Sequence, residues 1–369
     1  MNVKSVSVFK LNIALANTIR VPLGELSAAR NVVIKITTDA GMVGWGEASP
    51  FEPITGDSQE SSFAMAQKIG AFLKGKNALA VEARMQEINS ITVGEPSIRS
   101  AYDMALYDLL GQQAGLPLYK LWGGEKRELR SDLTIGMQDS VEETLEYARN
   151  ILAMGFDAIK MKVGRGGLKD VPHVQAVRNL VGPDFQLKID SNQGWDLPTA
   201  VANIRAMQSL NLQYSEQPLA AWDYDSLVSL RKATHTPICA DESVFTHFDA
   251  MKLVKLDAVD YLNIKLGKSG GVRTALKINA IAEASNRKCM IGCFAESRLG
   301  LGVAAHLATA RSNIHFIDLD SAFGFESDPV IGGMTFDEKV GGLIHLPDTP
   351  GHGATFDESF FDQDSAVTV

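Results

Sequence analysis

The central part of the chain alternates between short runs of β-forming residues and longer segments with helical periodicity. Eight such runs follow residue 129: LTIG (133–136), AIKMKVG (158–164), LKIDSN (187–192), QYSEQP (213–218), PICADE (237–242), YLNIKLGK (261–268), CMIGC (289–293) and HFIDLD (315–320). Repeated strand–helix units imply right-handed crossovers and parallel strands. Eight of them close most economically as a (β/α)8-type barrel, whose reactive groups lie at the C-terminal strand ends.

Polar residues stand at the ends of successive runs. Successive spacings are 28, 26, 25, 24 and 28 residues, measured between Lys162, Asp190, Glu216, Asp241, Lys265 and Cys293 at the ends of six runs. Each spacing fits one strand, one helix and two loops. An open doubly wound sheet is the alternative architecture. It would not usually carry polar tips on every successive strand, and no GxGxxG motif opens this one.

The two ends of the chain follow a different pattern. Alternating runs such as VKSVSVF and VVIKITT predict a small antiparallel sheet, and residues 58–115 have helical periodicity. We therefore expect an α+β domain at residues 1–125 and the barrel at residues 126–320. Short strands in the Gly-rich segment 321–369 are expected to complete the first domain.

Composition and charge narrow the choice of partner. The chain has 369 residues, 45% of them hydrophobic and 21% charged, and a net charge of −9 without a clustered Lys/Arg run. This argues against nucleic acid and anionic membranes and favours a small-molecule ligand. The three cysteines form no CxxC pair, and neither a signal-peptide pattern nor an apolar stretch of 18 residues is present. We expect a cytoplasmic protein.

Three acidic residues end three consecutive runs. In a barrel the tips that carry Asp190, Glu216 and Asp241 converge, and three anionic groups repel one another unless a cation lies among them. A set of oxygen ligands without His or Cys favours Mg²⁺ over Zn²⁺. The alternative is that each carboxylate caps a helix or pairs with a lysine.

Three lysines lie in the same barrel series. Lys160 and Lys162 are two apart on one strand and therefore share a face, and Lys265 lies across the ring. Bases on two sides of one substrate suggest proton transfer, and nearby cations are expected to lower the lysine pKa values towards neutrality. Taken alone, the pair on one strand is also typical of a solvated surface.

The order of KMK, DSN, SEQP, ADES and NIKLGKSGG, together with the helix YDMALYDLLGQQAGLPLYKLWGG, resembles the enolase superfamily and its muconate-lactonizing-enzyme subgroup. The resemblance spans nearly the whole chain. It implies an α/β fold, a modified TIM barrel of the (β/α)7β type with an α+β capping domain. It also implies Asp190, Glu216 and Asp241 as Mg²⁺ ligands and Lys162 and Lys265 as acid/base residues.

The same resemblance implies further roles and a reaction. Lys160 would assist with the substrate carboxylate, and Asn192 would lie behind the metal ligands. Proton abstraction next to a carboxylate creates an enediolate, whose charge Mg²⁺ stabilises. The mandelate-racemase branch would need a His near the seventh strand, where CMIGCFAES has none.

The eighth run resembles that of the dipeptide epimerases. HFIDLD places Asp318 and Asp320 on one face, and in those enzymes such a pair receives the substrate α-ammonium group. The expected activity is a Mg²⁺-dependent isomerase, a dipeptide epimerase that inverts the α-carbon of the C-terminal residue. The alternatives are an o-succinylbenzoate synthase or N-acylamino acid racemase, then a cycloisomerase, and a barrel that binds a dipeptide without turnover.

Substrate side-chain specificity rests on a segment expected to close over the barrel. The segment 14–30 is predicted to be a loop with Arg20 and Arg30 as its cations, and Arg298 is a further candidate for contact with the substrate. Apolar neighbours such as Ile19 favour Ala-containing dipeptides with an apolar partner. A homo-oligomer is compatible with the sequence.

Overall fold

Two β-sheets organise the chain, and the computed structural model describes residues 1–369. The strands are β1 (Val3–Val21), β2 (Gly24–Thr38), β3 (Val43–Ala48), β4 (Leu133–Ile135), β5 (Ala158–Lys162), β6 (Gln186–Asp190), β7 (Ser215–Glu216), β8 (Ile238–Ala240), β9 (Tyr261–Ile264), β10 (Lys288–Ile291), β11 (Ile314–Ile317), β12 (Val330–Gly332), β13 (Thr335–Phe336), β14 (Ile344–His345), β15 (Ala354–Phe356) and β16 (Val367–Thr368).

Helices fill most of the connections between strands. They are α1 (Glu52–Thr55), α2 (Gln59–Leu73), α3 (Val81–Ile91), α4 (Pro96–Ala114), α5 (Leu118–Leu121), α6 (Val141–Ala153), α7 (Val171–Val181), α8 (Leu197–Ala206), α9 (Tyr224–Ala233), α10 (His247–Leu256), α11 (Leu266–Ser269), α12 (Val272–Ala284) and α13 (Arg298–Ala310). None of them combines the length and apolarity that a membrane crossing requires.

The larger sheet is a parallel sheet that curls into a barrel. Its eight strands, β4 to β11, lie side by side in chain order, and every neighbouring pair is parallel. The N–H of Asp132 donates to the carbonyl oxygen of Ile317 at 3.3 Å, which joins the first strand to the last. Each of the seven crossovers contains helix. The predicted (β/α)7β architecture is confirmed.

Local sequence signals set where several barrel helices begin. Ser140 precedes α6, its hydroxyl accepts the N–H of Glu143, and the Glu143 carboxylate accepts the N–H of Ser140 in return. Thr246 and Asp249 repeat this capping box at α10. These reciprocal bonds satisfy N–H groups that the first turn of a helix leaves unpaired.

The smaller sheet is antiparallel, with the strand order β16, β1, β2, β3. Its strands β1 and β2 extend into a long hairpin, so residues 14–30 are mostly paired strand, and the expectation of a loop there is wrong. The two alternating runs keep pairing because Gly24, at φ 141°, supplies the tight turn that other residues resist. The hairpin tip reaches the barrel, where the N–H of Met137 donates to the carbonyl oxygen of Arg20 at 3.1 Å.

Helix α4 is buried between the small sheet and the barrel. On the sheet side it lies so close that a Cβ on Gly46 would stand 1.9 Å from the carbonyl oxygen of Ala101. On the barrel side the carboxylate of Asp103 accepts the N–H of Arg273 at 3.2 Å, and a Cβ on Gly271 would clash with it. Burial raises the pKa of Asp103 to about 7.

The segment after residue 320 contacts both sheets. Val6 and Val369 exchange two backbone hydrogen bonds of 3.0 and 2.9 Å, which bring β16 to the edge of β1. Further back, the N–H of Ser131 donates to the carbonyl oxygen of Gly342 at 2.8 Å, next to the first barrel strand. The domain boundaries at residues 125 and 320 stay predictions.

Candidate active site

Three carboxylates stand side by side at the C-terminal end of the barrel. Asp190 and Glu216 end β6 and β7, Asp241 follows β8, and all three have no exposed surface. Burial and the charge of Asp190 raise the pKa of Glu216 to about 8. One carboxylate oxygen, Glu216 Oε2, is buried without a hydrogen-bond partner. A buried acceptor in this state is unfavourable unless a cation or a donor reaches it.

Two residues that the sequence assigned no role hold these carboxylates in place. Asn263 Nδ2 donates to Glu216 Oε1 at 2.6 Å. Lys268 Nζ lies 2.9 Å from Asp241 Oδ1 and donates to the carbonyl oxygens of Asp241, Val244 and Asn263. Asn263 lies two positions before Lys265, on the same face of β9, and this alternation is the signal that could have identified it.

The donor set fits a hard divalent cation. The three acidic residues provide only oxygen atoms as ligands. Glu216 Oε2, which lies in this row of carboxylates, accepts no hydrogen bond. Mg²⁺ is bound through carboxylates of this kind, with the remaining positions left to water and substrate oxygens. These residues can therefore hold Mg²⁺.

Two ammonium groups flank the row of carboxylates at opposite ends. Lys162 Nζ donates to Asp190 Oδ2 at 2.6 Å and to Asn192 Oδ1 at 2.9 Å. Lys265 Nζ lies 2.9 Å from Asp241 Oδ2. Burial lowers the pKa of Lys265, but the charges of Asp241 and Glu216 outweigh it and the pKa is raised. The anions nearest to Lys265 account for this increase, and the decrease expected next to a bound cation stays a prediction.

Lys160 lies deeper than Lys162 on the same face of β5. Its ammonium group is ion-paired with Asp318, and the two residues are 4% and 1% exposed. Burial lowers the pKa of Lys160, but the charges of Asp318 and Glu216 raise it well above its ordinary value. The two lysines therefore face the barrel interior and its mouth, and the surface alternative for this pair does not hold.

Asp318 and Asp320 follow the eighth strand and face the same interior. Asp320 Oδ2 accepts the N–H of Thr134 at 2.9 Å, and the thiol of Cys293 lies 3.7 Å from Asp320 Oδ1. Burial and the charge of Asp318 raise the pKa of Asp320. Burial also raises the pKa of Asp318, but the charge of Lys160 outweighs burial and holds this pKa below its ordinary value.

A third aspartate that the sequence did not single out completes this cluster. Carboxylate oxygens of Asp132, Asp318 and Asp320 lie within 4.8 Å of one another. Asp132 is ion-paired with Lys188, and both side chains are buried. Lys188 lies two positions before Asp190 on β6, so its inward direction was readable from the strand alternation. Asp132 precedes β4 and gave no such signal.

The predicted arginines lie apart from these groups. Arg20 is half-exposed and pairs with Glu25 at 3.1 Å and Asp139 at 3.2 Å. Arg30 is exposed on the hairpin. Arg298 is ion-paired with Asp328 and donates to three backbone carbonyl oxygens of residues 330–334. The structure thus brings together the other eight predicted site residues: Lys160, Lys162, Asp190, Glu216, Asp241, Lys265, Asp318 and Asp320.

Two family descriptions together match most of the chain. Residues 3–123 match the mandelate racemase / muconate lactonizing enzyme, N-terminal domain. Residues 143–360 match the enolase C-terminal domain-like family.

Similar proteins with a stated activity cover nearly the full length. A D-Ala-D/L-Ala epimerase of Cytophaga hutchinsonii is 36% identical, over 98% of this chain and 97% of the relative. A hydrophobic dipeptide epimerase of Enterococcus faecalis is 38% identical, over 96% of this chain and 99% of the relative. A crystal structure of the dipeptide epimerase from Cytophaga hutchinsonii, complexed with Mg and the dipeptide D-Ala-L-Val, superposes with a TM-score of 0.96. It has 35% sequence identity and covers 100% of both chains.

Proposed function

The chain belongs to the mandelate racemase and muconate lactonizing enzyme family of the enolase superfamily, and on that basis we propose that it is a Mg²⁺-dependent dipeptide epimerase. The observation that carries the proposal is the placement of Lys162 and Lys265 at opposite ends of one row of buried carboxylates. Such an enzyme is an isomerase that inverts the α-carbon of the C-terminal residue of a dipeptide.

Asp190, Glu216 and Asp241 are the proposed Mg²⁺ ligands. When bound, the ion stabilises the negative charge that develops on the substrate carboxylate as the α-proton leaves. Asn263 and Lys268 hold Glu216 and Asp241 from behind, so the carboxylates are fixed in place before substrate arrives. Preorganised ligands of this kind need little rearrangement during the reaction.

Lys162 and Lys265 are the proposed acid/base pair. In its neutral form one lysine takes the α-proton, and the other donates a proton to the opposite face of the planar enediolate. The reverse reaction exchanges their roles. Asn192 orients Lys162 through a 2.9 Å hydrogen bond. Lys160 stays charged because it is buried against Asp318, so it supplies fixed positive charge to the substrate carboxylate and does not carry the proton.

Asp318 and Asp320 are the proposed acceptors of the substrate α-ammonium group. Asp320 Oδ1 has a thiol, that of Cys293, as its hydrogen-bonding neighbour, and a thiol is a weak donor. An ammonium group would be a far stronger partner in this partly desolvated place. An N-acylated substrate has no such group to offer, which favours a dipeptide over an N-acylamino acid.

An apolar side chain is proposed for the residue that is inverted. Arg20 pairs with Glu25 and Asp139, and the guanidinium of Arg298 is fully engaged by Asp328 and backbone oxygens. Neither is left to pair with an acidic side chain. The half-buried hairpin tip offers apolar residues instead, which favours Ala-containing dipeptides with an apolar partner.

Proton exchange in D₂O tests the proposal directly. With Mg²⁺ present, L-Ala-L-Leu and L-Ala-L-Val should exchange the α-proton of the second residue and form the L,D epimer, as read by ¹H NMR. L-Ala-L-Glu should react more slowly, and N-acetyl-L-Ala-L-Leu should be a poor substrate. Preferred turnover of an N-succinyl amino acid or of an o-succinylbenzoate precursor would contradict the proposal. Dipeptide binding without exchange would instead indicate a binding protein.

A further inference from the structure

Three polar residues, two on strands of the small sheet and one directly after β3, hold the barrel loop that covers Lys265. We propose that Asn31, Glu47 and Ser49 are positioning residues for proton transfer at Lys265, acting through the loop Cys293–Ser297 between β10 and α13. None of the three contacts Lys265 itself. The inference rests on the proposed function, because it concerns one of the two proposed bases.

Glu47 joins the small sheet to the first turn of α13. Its Oε1 accepts the N–H of Ser297 at 2.9 Å, and its Oε2 accepts the Ser297 hydroxyl at 2.7 Å and the N–H of Gly300 at 3.1 Å. Asn31 Nδ2 donates to the same carboxylate at 2.7 Å. Glu47 thus satisfies N–H groups that a helix leaves unpaired at its start, from a strand 250 residues before Ser297 in the chain.

This carboxylate is unusual because no basic side chain pairs with it. Glu47 is 1% exposed, and every hydrogen bond that it accepts comes from a neutral donor. Burial of an acid without a counter-charge is unfavourable for folding. The position of Glu47 between the two sheets therefore indicates that its role is to fix this loop in place.

Asn31 and Ser49 hold the middle of the loop. Asn31 Nδ2 donates to the carbonyl oxygen of Ala295 at 2.8 Å, and the N–H of Ala295 donates to Ser49 Oγ at 3.1 Å. Ala295 is therefore held through both of its backbone polar groups. Together with the bonds from Glu47 to Ser297, these contacts fix the loop at two points.

The residue before Ala295 is the one that meets the proposed base. The ring centroid of Phe294 lies 4.8 Å from Lys265 Nζ. A Cβ on Gly267 would stand 3.2 Å from the Phe294 ring, so the ring fits closely against α11 as well. A ring in this position stabilises the ammonium form and keeps water from it. Loosening the loop would shift the ring and change the surroundings of Lys265, whereas Lys162 lies at the other end of the carboxylate row.

Single-lysine backgrounds isolate each base. In Lys162→Ala, α-proton exchange without inversion depends on Lys265, and in Lys265→Ala it depends on Lys162. Adding Glu47→Gln should slow exchange in the Lys162→Ala background by roughly tenfold to a hundredfold, since small displacements of a positioned group have effects of this size. In the Lys265→Ala background the change should stay within about twofold. Equal losses in both backgrounds, or no loss in either, would overturn the inference.

Asp57→Asn is the matched control. Asp57 is another buried carboxylate that caps a helix, and it accepts the N–H and the hydroxyl of Ser97, both at 3.1 Å, so both bonds lie within residues 57–97. Thermal unfolding should show similar losses of stability for Asp57→Asn and Glu47→Gln. Only the Glu47 variant should change exchange through Lys265.

A second measurement does not require turnover. The rate at which acetic anhydride labels Lys265, read by mass spectrometry, should rise at least about threefold in Glu47→Gln, Ser49→Ala and Phe294→Leu because the ring no longer shields the ammonium group. Labelling of Lys265 in Asp57→Asn should match the unmodified protein. An unchanged Lys265 rate in the first three variants would overturn the inference. Absence of any proton exchange, with labelling changed as expected, would instead count against the proposed function.

Discussion

Lys160 and Asp318 neutralise each other inside the barrel, although the first was expected to face the substrate carboxylate and the second the substrate ammonium group. Both side chains are buried, and Asp318 Oδ1 is left without a hydrogen-bond donor. A dipeptide zwitterion brings one charge of each sign to this pair. It can therefore bind without changing the net charge of the pocket, whereas an N-acylamino acid would add one uncompensated negative charge.

Asp320→Asn should lower kcat/KM for Ala-containing dipeptides by at least about tenfold, because one ionic hydrogen bond to a buried ammonium is worth roughly 1.5–3 kcal/mol. The amide oxygen can still accept the N–H of Thr134, so the free energy of unfolding should change little. Steady-state kinetics and urea unfolding measure the two effects. Activity retained on dipeptides would argue against an ammonium site at Asp320.

Asp318→Asn should lose activity and stability together. The variant leaves Lys160 buried without its ion-pair partner, and breaking a buried pair in this way is unfavourable by about 3–5 kcal/mol. The double variant Lys160→Met with Asp318→Leu should recover much of the stability and none of the activity. Urea unfolding of the single and double variants measures the difference. If the double variant were no more stable than Asp318→Asn, the buried ion pair between Lys160 and Asp318 would be contradicted.

Replacement of a proposed metal ligand should abolish turnover with different effects on stability. Asp241→Asn and Glu216→Gln should each lower kcat at least about a thousandfold, since the ion supplies several kcal/mol of charge stabilisation. Without Mg²⁺, Glu216→Gln should be more stable than the unmodified protein because it removes a buried acid and its repulsion with Asp190. Asp241→Asn should be less stable because Lys265 and Lys268 lose their partner.

Thermal unfolding without Mg²⁺ measures the changes in stability of the metal-ligand variants. Calorimetric titration with Mg²⁺ measures their loss of metal binding. Asp364→Asn, at an exposed position, serves as the control. Full activity after exhaustive treatment with EDTA would mean that the metal assignment is wrong.

Each of the two proposed bases should remove the α-proton from one epimer. In D₂O, Lys162→Ala should lose epimerisation but retain slow exchange without inversion for the epimer that presents its proton to Lys265, and Lys265→Ala should show the opposite preference. Lys160→Ala should slow both epimers alike, because this residue stabilises the carboxylate. A variant of Lys162 or Lys265 that still interconverts both epimers at a near-normal rate would refute the two-base mechanism.

Asp103 should make the stability of the protein decrease with pH. Its pKa of about 7 in the fold lies above the ordinary aspartate value of 3.8, so the folded state holds the proton more tightly than the unfolded state. The stabilisation is fully present below pH 3.8 and is lost as the pH rises from there through 7. Asp103→Asn should be more stable than the unmodified protein in thermal unfolding, and the gain should be larger at pH 8 than at pH 5. A difference that is the same at both pH values would contradict the raised pKa.

Strand alternation explains why most of the site was predictable. Asp190, Glu216, Asp241 and the lysines fall at strand ends, and a parallel barrel brings successive strand ends to one mouth. The sequence also indicates that Lys160 shares the face of Lys162. It does not indicate that Lys160 meets Asp318, 158 residues further along, because such pairing depends on how the ring closes.

The surroundings of Arg298 and the pairing of the hairpin could not be predicted from the sequence for a similar reason. Arg298 lies close in sequence to the seventh strand, but its guanidinium pairs with Asp328 and donates to the carbonyl oxygen of Val330. No local sequence pattern indicates these contacts. Residues 14–30 contain small and polar residues that suggest a loop, yet pairing between β1 and β2 overrides this preference. Homo-oligomerisation stays a prediction.

The two hydrogen bonds between Val6 and Val369 link residues that lie 363 positions apart and therefore leave the ribosome at very different times. Until residues 367–369 emerge, the edge of β1 has unpaired N–H and C=O groups, which can associate with other nascent chains. The barrel strands and their crossovers are complete well before that moment, so they can fold first. Removal of residues 367–369 would leave this edge permanently open, and the resulting protein should aggregate more readily during expression than its loss of stability alone would suggest.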